Sequence, residues 1–318
     1  MSIIEAKNIT KKFIKTQANW PNFWALKKEE NIAVNDLSIS IEEGELVGFL
    51  GPNGAGKTTF LKILAGIMHP TAGSASVLGF TPWERQFDYL SQIAIVMGQK
   101  NQLWWDLPAI DSFNMLKEVY SIPTAKYKQN LDMMVETLQM KELLTKRLRN
   151  MSLGERMKCE LSASFLHSPK VIFLDEPTIG LDVISSKSIR DFLKEINRVT
   201  KCTLILTSHY MGDIEYLCKR VIIIDKGSKV YDGDLSELKT KYAPEKKIEI
   251  FLNSLEDKQK FAHLLGKKKI IENKGIIKVE KQEIGAVAQD VYAKFDPENI
   301  SISDIDTEEV ITKIFSKK

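Results

Sequence analysis

Cysteine is scarce in this 318-residue chain: Cys159, Cys202 and Cys218 are the only three. An odd number at no metal-ligand spacing excludes a disulfide-stapled scaffold and a zinc site, and suits reduced thiols packed as small core residues. Long apolar runs are missing as well. Stretches such as Val171-Ile172-Phe173-Leu174 and Val221-Ile222-Ile223-Ile224 are strand-sized, far short of the roughly 18 residues of a membrane helix. Met1-Ser2-Ile3-Ile4-Glu5 has neither the charged nor the apolar section of a secretion signal, so a cytosolic location is expected. Neither sign of charge is in excess. The 45 Lys and Arg face 42 Asp and Glu, spread along the chain, which argues against a nucleic-acid coat. What is present is core material, 43% of residues, in a length that predicts two domains, since domains run about 100–200 residues.

Apolar runs at 45–50, 93–97, 171–174, 202–206 and 221–224 read as buried strands. Each is followed by a loop and a helical pattern, the order of an α/β domain. Residues 3–41 and 74–78 carry shorter β-rich segments of alternating polarity and predict an added antiparallel sheet. From Pro108 to about Lys146 the pattern is helical without strand signals, so an inserted helical subdomain is expected over about 108–168. Beyond Ala243-Pro244 the composition turns Lys/Glu-rich. There the spacing predicts strand 246–252, helix 255–265, strands 269–273 and 275–280, helix 284–294, strand 299–303 and helix 307–316. That order is a small α+β, βαββαβ-like accessory domain over 243–318 with a final helix. Lys267-Lys268-Lys269 reads as a solvated face, and the insertion-like segment Gln17–Asn31 carries Trp20, Phe23 and Trp24. Those aromatics read as loop packing, with a recognition patch as the alternative.

The chemistry begins at Gly51-Pro52-Asn53-Gly54-Ala55-Gly56-Lys57-Thr58-Thr59, which fits the phosphate-loop pattern G-x-x-x-x-G-K-[ST] between a predicted strand and a predicted helix. Glycines let successive N–H groups curl around phosphate oxygens, and the helix dipole favours the anion. Lys57 would reach the terminal phosphates and the Thr58 hydroxyl would ligate Mg²⁺. Val171-Ile172-Phe173-Leu174-Asp175-Glu176 places two carboxylates at the carboxyl end of a buried strand, where open α/β sheets bind ligands. Asp175 would hold Mg²⁺ through its water shell, and Glu176 would polarise an attacking water.

With these two elements in this order, the sequence resembles the ATP-binding-cassette family. Asn150-Met151-Ser152-Leu153-Gly154-Glu155-Arg156 stands where the family carries its Leu-Ser-Gly-Gly-Gln signature. Met151, Leu153 and Glu155 depart from that pattern. Ser152 and Gly154 remain, and the resemblance implies that they contact the γ-phosphate. Ser152 with Glu155 also makes a capping box, and a capped helix N-terminus suits an anion. By resemblance, Gln99 is the lid glutamine that senses Mg²⁺ and water, with Gln102 a rival three residues on. Asp182 in Gly180-Leu181-Asp182 takes the D-loop position, and His209 in Thr207-Ser208-His209 that of the switch histidine. Phe13 in Lys11-Lys12-Phe13 takes that of the ring stacked on adenine, the alternative being an ordinary core aromatic. His69, His167 and His263 read as ordinary surface or core residues.

The resemblance spans residues 3–241. It implies a P-loop NTPase cassette over 1–242, with the antiparallel β-subdomain and the inserted helical subdomain, that hydrolyses Mg-ATP. Gly98–Pro108, Leu153-Gly154-Glu155-Arg156 and the extension ending Ile302–Ile311 resemble the export-type ATPases that power small six-helix permeases for drugs, antibiotics or sodium. Sugar importers usually carry a longer β-barrel extension. The implied partners are a separately encoded integral-membrane permease, met near Trp104 and Trp105, and a second copy of the chain across whose interface the signature acts. No nucleic acid is implied. The expected location is peripheral, on the cytoplasmic face of the membrane. A ribosome-acting relative would carry two cassettes. A chromosome-type one would place a long coiled coil where about 117 residues separate Thr58 from Asp175.

Overall fold

The computed structural model describes residues 2–18, 26–98, 100–252, 255–264, 267–271, 274–295 and 300–316. The chain opens with two long strands, β1 (Ser2–Ala18) and β2 (Leu26–Glu42), and then β3 (Leu46–Leu50), helix α1 (Lys57–Leu64) and β4 (Ala72–Val77). Next come α2 (Phe87–Leu90), β5 (Ile93–Met97), and the helices α3 (Ala109–Val119), α4 (Thr124–Thr137) and α5 (Leu153–Phe165). The first unit closes with β6 (Val171–Asp175), α6 (Val183–Thr200), β7 (Thr203–Thr207), α7 (Met211–Leu217), β8 (Arg220–Asp225) and β9 (Ser228–Asp234). After it lie α8 (Leu235–Tyr242), β10 (Lys246–Phe251), α9 (Leu255–Phe261), β11 (Lys267–Ile271), β12 (Lys274–Val279), α10 (Ile284–Phe295), β13 (Ile300–Asp304) and α11 (Thr307–Ser316).

The central sheet runs β5-β6-β7-β3-β8-β9, and its neighbours from β5 to β8 pair in parallel. A parallel sheet covered on both faces needs continuous apolar strands. Val171–Leu174, Leu204–Leu206 and Val221–Ile224 meet that requirement and are all buried. The antiparallel sheet β2-β1-β4 shares one core with it, where Ile4, Ile9, Val34, Leu37 and Ile41 meet Phe49, Phe60 and Phe173. Phe49 and Phe60 stack with ring centroids 5.4 Å apart. The segment expected to be an insertion is strand at both ends. Lys15 to Ala18 continue β1 and pair with Leu26 to Glu29 of β2. Trp20, Phe23 and Trp24 lie outside the described residues.

Residues 1–233 and 234–318 form the two compact units. The division falls ahead of the expected 242/243 boundary because α8 packs with α11. The second unit is a four-stranded antiparallel sheet in the order β11-β12-β10-β13. Ile248, Ile250, Phe261, Ile277, Val287 and Val291 fill its core. Lys268 and Lys269 stand exposed on edge strand β11, the usual way to discourage edge-to-edge pairing.

Cys159, Cys202 and Cys218 are buried and unbridged. Burial pushes the Cys159 and Cys202 thiols up to about 12 and Cys218 higher still. Since the thiolate is the reactive form, none of the three should react with an aromatic disulfide reagent at pH 8 in the native protein, and all three should react in denaturant. Fast native labelling of any one would show that its element opens locally.

Candidate active site

Three strand ends share one rim because the sheet is parallel. β6, β7 and β3 are successive neighbours, so the loops leaving their carboxyl ends converge where open α/β sheets hold ligands. The loop after β3 is Gly51–Gly56, β6 ends in Asp175 before Glu176, and β7 runs into Ser208 and His209. Lys57 at the start of α1 is 6% exposed and folds its Nζ back to donate to the carbonyls of Gly51 (2.6 Å) and Pro52 (3.1 Å). Burial lowers the pKa of this ammonium, and the carboxylates of Glu176 and Asp175 oppose the shift. A desolvated cation inside a curl of backbone is suited to a phosphate oxygen.

Thr58 Oγ1 donates to Asp175 Oδ2 at 2.8 Å, and Thr207 Oγ1 donates to Asp175 Oδ1 at 2.7 Å. A hydroxyl and a carboxylate side by side form a hard oxygen set, and they fit Mg²⁺, which prefers few protein oxygens plus water and phosphate. Glu176 follows in the left-handed region at φ 56°, a strained backbone for a non-glycine and one that clusters at functional sites. Its N–H donates to Thr207 O and Thr207 Oγ1, both at 3.1 Å. Its Oε1 lies 2.6 Å from His209 Nε2. A carboxylate only accepts, so the Nε2 nitrogen carries the proton.

Thr207 is absent from the residues expected of the site, although it orients both acids. It pairs with Asp175 across β6 and β7, a neighbourhood that depends on strand order. A cavity of about 310 Å³ is lined by Asn53 to Thr59, Glu176, Phe13, Asn31 and Ala33. Phe13 is exposed rather than in the core and lies opposite Asn31 in the β1–β2 ladder, with Lys11 Nζ 5.4 Å from its ring centroid. Asn31 and Ala33 reach the cavity only because β2 folds back on β1.

Ser152, Gly154 and Asp182 form a second cluster and are not among the residues lining that cavity. Ser152 caps α5: Glu155 N–H donates to its hydroxyl at 3.2 Å, and its own N–H donates to Glu155 Oε2 at 2.7 Å. Asp182 caps α6, accepting from Ser185 N (2.9 Å) and Ser185 Oγ (2.7 Å), and the Ser185 hydroxyl and amide hold its carboxyl below the usual range. A Cβ on Gly154 would lie 2.4 Å from Ser185 Oγ, so the two caps touch. Gln99 lies outside the described residues. Its neighbour Gly98 packs on the acids, donating to Asp175 O at 2.8 Å, with room for no Cβ against Glu176 O. Gln102 faces elsewhere, its Nε2 donating to Ile95 O and its N–H to buried Glu160 Oε1 at 2.9 Å.

The profile of the ABC transporter family matches residues 34–179. The ABC transporter ATP-binding protein NatA of Bacillus subtilis is 32% identical over 229 residues, 72% of this chain and 93% of that protein. The uncharacterized ABC transporter ATP-binding protein YhcH of the same organism is 28% identical over 290 residues, 91% of this chain and 87% of its own length. Among solved structures, the dimeric post-hydrolysis state of the ATP-binding cassette MJ0796 with ADP and Pi shares the fold. Its TM-score is 0.62 at 21% identity, over 73% of this chain and 98% of that one.

Proposed function

This chain belongs to the ABC transporter ATP-binding family, and from that premise we propose that it drives export through a separately encoded permease by closing and opening as a dimer around two ATP molecules. It is an ATP-binding subunit, an ATPase that powers transport. The observation that carries the finer reading is the split between the two clusters. The phosphate loop and Glu176 line one cavity, and His209 joins it only through its contact with Glu176, while Ser152, Gly154 and Asp182 lie outside that lining. A second copy, placed head to tail, is what would bring a signature to each nucleotide. Val183 and Ile184, 81% and 83% exposed at the start of α6, give that face apolar side chains suited to a protein partner.

ATP then acts as the glue. Its γ-phosphate gains contacts from the partner copy's signature that ADP lacks, so cleavage releases the closed state. Bound by Thr58 and Asp175, Mg²⁺ would neutralise charge on the β- and γ-phosphate oxygens. The Glu176 carboxylate orients a water against the γ-phosphorus and takes its proton, while Lys57 and His209 offset charge on the transferred group. Phe13 stacks on the adenine ring, and Gln99 acts as the lid beside Glu176. The export direction is supported by the Gly98–Pro108 segment, the Leu-Gly-Glu-Arg signature and the small C-terminal unit. No described helix is long and apolar enough to cross a membrane, and the chain would work at the cytoplasmic face, against its permease.

Trp104 and Trp105 mark the permease side. They are 41% and 43% exposed, and the Arg156 guanidinium of the signature helix lies 4.9 Å over the Trp105 ring. Trp104→Ala and Trp105→Ala should leave ATP affinity of the isolated subunit within about twofold while cutting co-purification with the permease, as expected for exposed aromatics that anchor a partner. Unchanged co-purification, or a collapsed thermal midpoint, would rule out a docking role.

A further inference from the structure

Asp213 is a buried carboxylate for which the phosphate chemistry has no use. It lies on α7, has no exposed surface, and collects three donors. Ser208 Oγ donates to Oδ2 at 2.9 Å, Thr178 Oγ1 makes a shorter bond to the same oxygen, and Arg190 Nη1 donates to Oδ1 at 2.9 Å. Thr178 sits two residues past Glu176, and Ser208 immediately precedes His209. Arg190 belongs to α6, the helix that Asp182 caps. A single charge therefore ties together the segment leaving β6, the segment leaving β7 and the helix after the D-loop. The tie is local and stiff. Tyr210 N–H donates to Ser208 Oγ at 3.0 Å, so the hydroxyl that bonds Asp213 also shapes the turn at His209. Leu181 N–H donates to Thr178 O at 3.2 Å, so the residue that bonds Asp213 also closes the turn into the D-loop.

We infer that Asp213 is a positioning residue: through Thr178 and Ser208 it holds Glu176 and His209 in the register that brings their side chains to 2.6 Å. The inference rests on the reading of Glu176 and His209 as the residues that act on the attacking water and the transferred phosphate. The β6 end is held upstream by the Thr207 bonds to Glu176 N–H and Asp175, but nothing in that upstream set reaches the His209 loop past Thr207. Asp213 supplies the link. Its charge is matched by Arg190 and its remaining acceptor capacity by two hydroxyls, the condition under which a buried ion is tolerated.

Asp213→Ala would strand Arg190 and risks unfolding, so the test removes the two hydroxyls and leaves the ion pair. Thr178→Val, Ser208→Ala, their double variant and Thr178→Ser are compared in the full chain by steady-state Mg-ATP hydrolysis, with circular dichroism and thermal midpoints as controls for folding. Each deletion should lower kcat by on the order of tenfold through slight misplacement of the reacting groups, with KM within twofold because the phosphate loop is untouched. Thr178→Ser should recover the parental kcat. The double variant should be much less than multiplicative, because both hydroxyls act through one carboxylate. Folded variants with parental kcat, a KM that rises in step with the loss, or a Thr178→Ser as slow as Thr178→Val would overturn the inference. Glu176→Gln is run in parallel. Loss of turnover there with unimpaired hydroxyl variants overturns the role of Asp213 alone, whereas parental turnover there overturns the site reading and this role with it.

Discussion

Glu176→Gln should lower ATP turnover by roughly the 10²–10⁴-fold typical of losing a general base. The substitution keeps the shape of the side chain and an oxygen able to accept from His209 Nε2, now 2.6 Å from Glu176 Oε1. It removes only the group that can take the water's proton. Binding should persist, because Lys57, the loop amides and the Thr58–Asp175 pair are unchanged. An uncleaved γ-phosphate then keeps its contacts with the partner copy's signature, so the variant should accumulate as an ATP-bound dimer. Light scattering with Mg-ATP should give a mass near twice 36.1 kDa, and adding Ser152→Arg, which blocks the opposite face, should return it to monomer. Parental hydrolysis by Glu176→Gln would remove Glu176 from the chemistry. Arrested hydrolysis in a protein that stays monomeric at high concentration would mean that the permease, and not ATP, holds two cassettes together.

The parallel sheet was legible because its physics writes directly into sequence. A strand buried on both faces must be apolar throughout, and each of the five runs read that way lies in the central sheet, from β3 at Leu46–Leu50 to β8 at Arg220–Asp225. The second unit was legible for a related reason. Its alternating strands and amphipathic helices carry their own period, and β10 to α11 fall within a few residues of the expected ranges. The β1–β2 arm was harder, since Lys15, Lys27, Lys28, Glu29 and Glu30 hide the alternation that marks a strand with a buried face. α8 has no sequence mark of the unit it joins; its membership comes from packing with α11.

The phosphate loop and the Asp175-Glu176 pair are contiguous motifs, and contiguity is what a sequence displays. Thr207, Asn31 and Ala33 reach the site through separations of tens of residues, and Asp213 meets Thr178 in the same way. Their roles depend on which strands are neighbours and which helix covers them, and one sequence does not encode strand order in any local pattern. The hub at Asp213 is the clearest case. A lone Asp in a polar helix start reads as a solvated residue, yet its burial against Arg190 is complete.

Gly56→Ala should weaken ATP binding by on the order of 10²-fold, and the reason lies outside the phosphate loop. Gly56 caps α1 at φ 103°, outside the region open to other residues. A Cβ there would lie 2.1 Å from the carbonyl oxygen of Ala33. Ala33 cannot easily retreat. It falls where the β1–β2 register shifts between Lys11↔Val34 and Lys12↔Ile32, an extra residue on β2 whose bulge directs its carbonyl at the loop. On one side of it Val34 is buried in the shared core. Relief to ordinary contact needs more than 1 Å of movement, and the loop, which carries the phosphate-binding amides, is the softer partner. Misplacement of that size costs about 10²-fold where groups must meet a ligand precisely. Gly79→Ala separates this clash from backbone strain: its φ of 82° is also left-handed, but no atom lies within 4 Å of the added Cβ, and it stands away from the site. That variant should lose about 1–2 kcal/mol of stability with parental ATP affinity. Calorimetric titration of both, with denaturant midpoints, decides the matter. Parental affinity in Gly56→Ala would show that β2 yields to the loop, and equal losses of affinity in the two variants would assign the effect to left-handed strain alone.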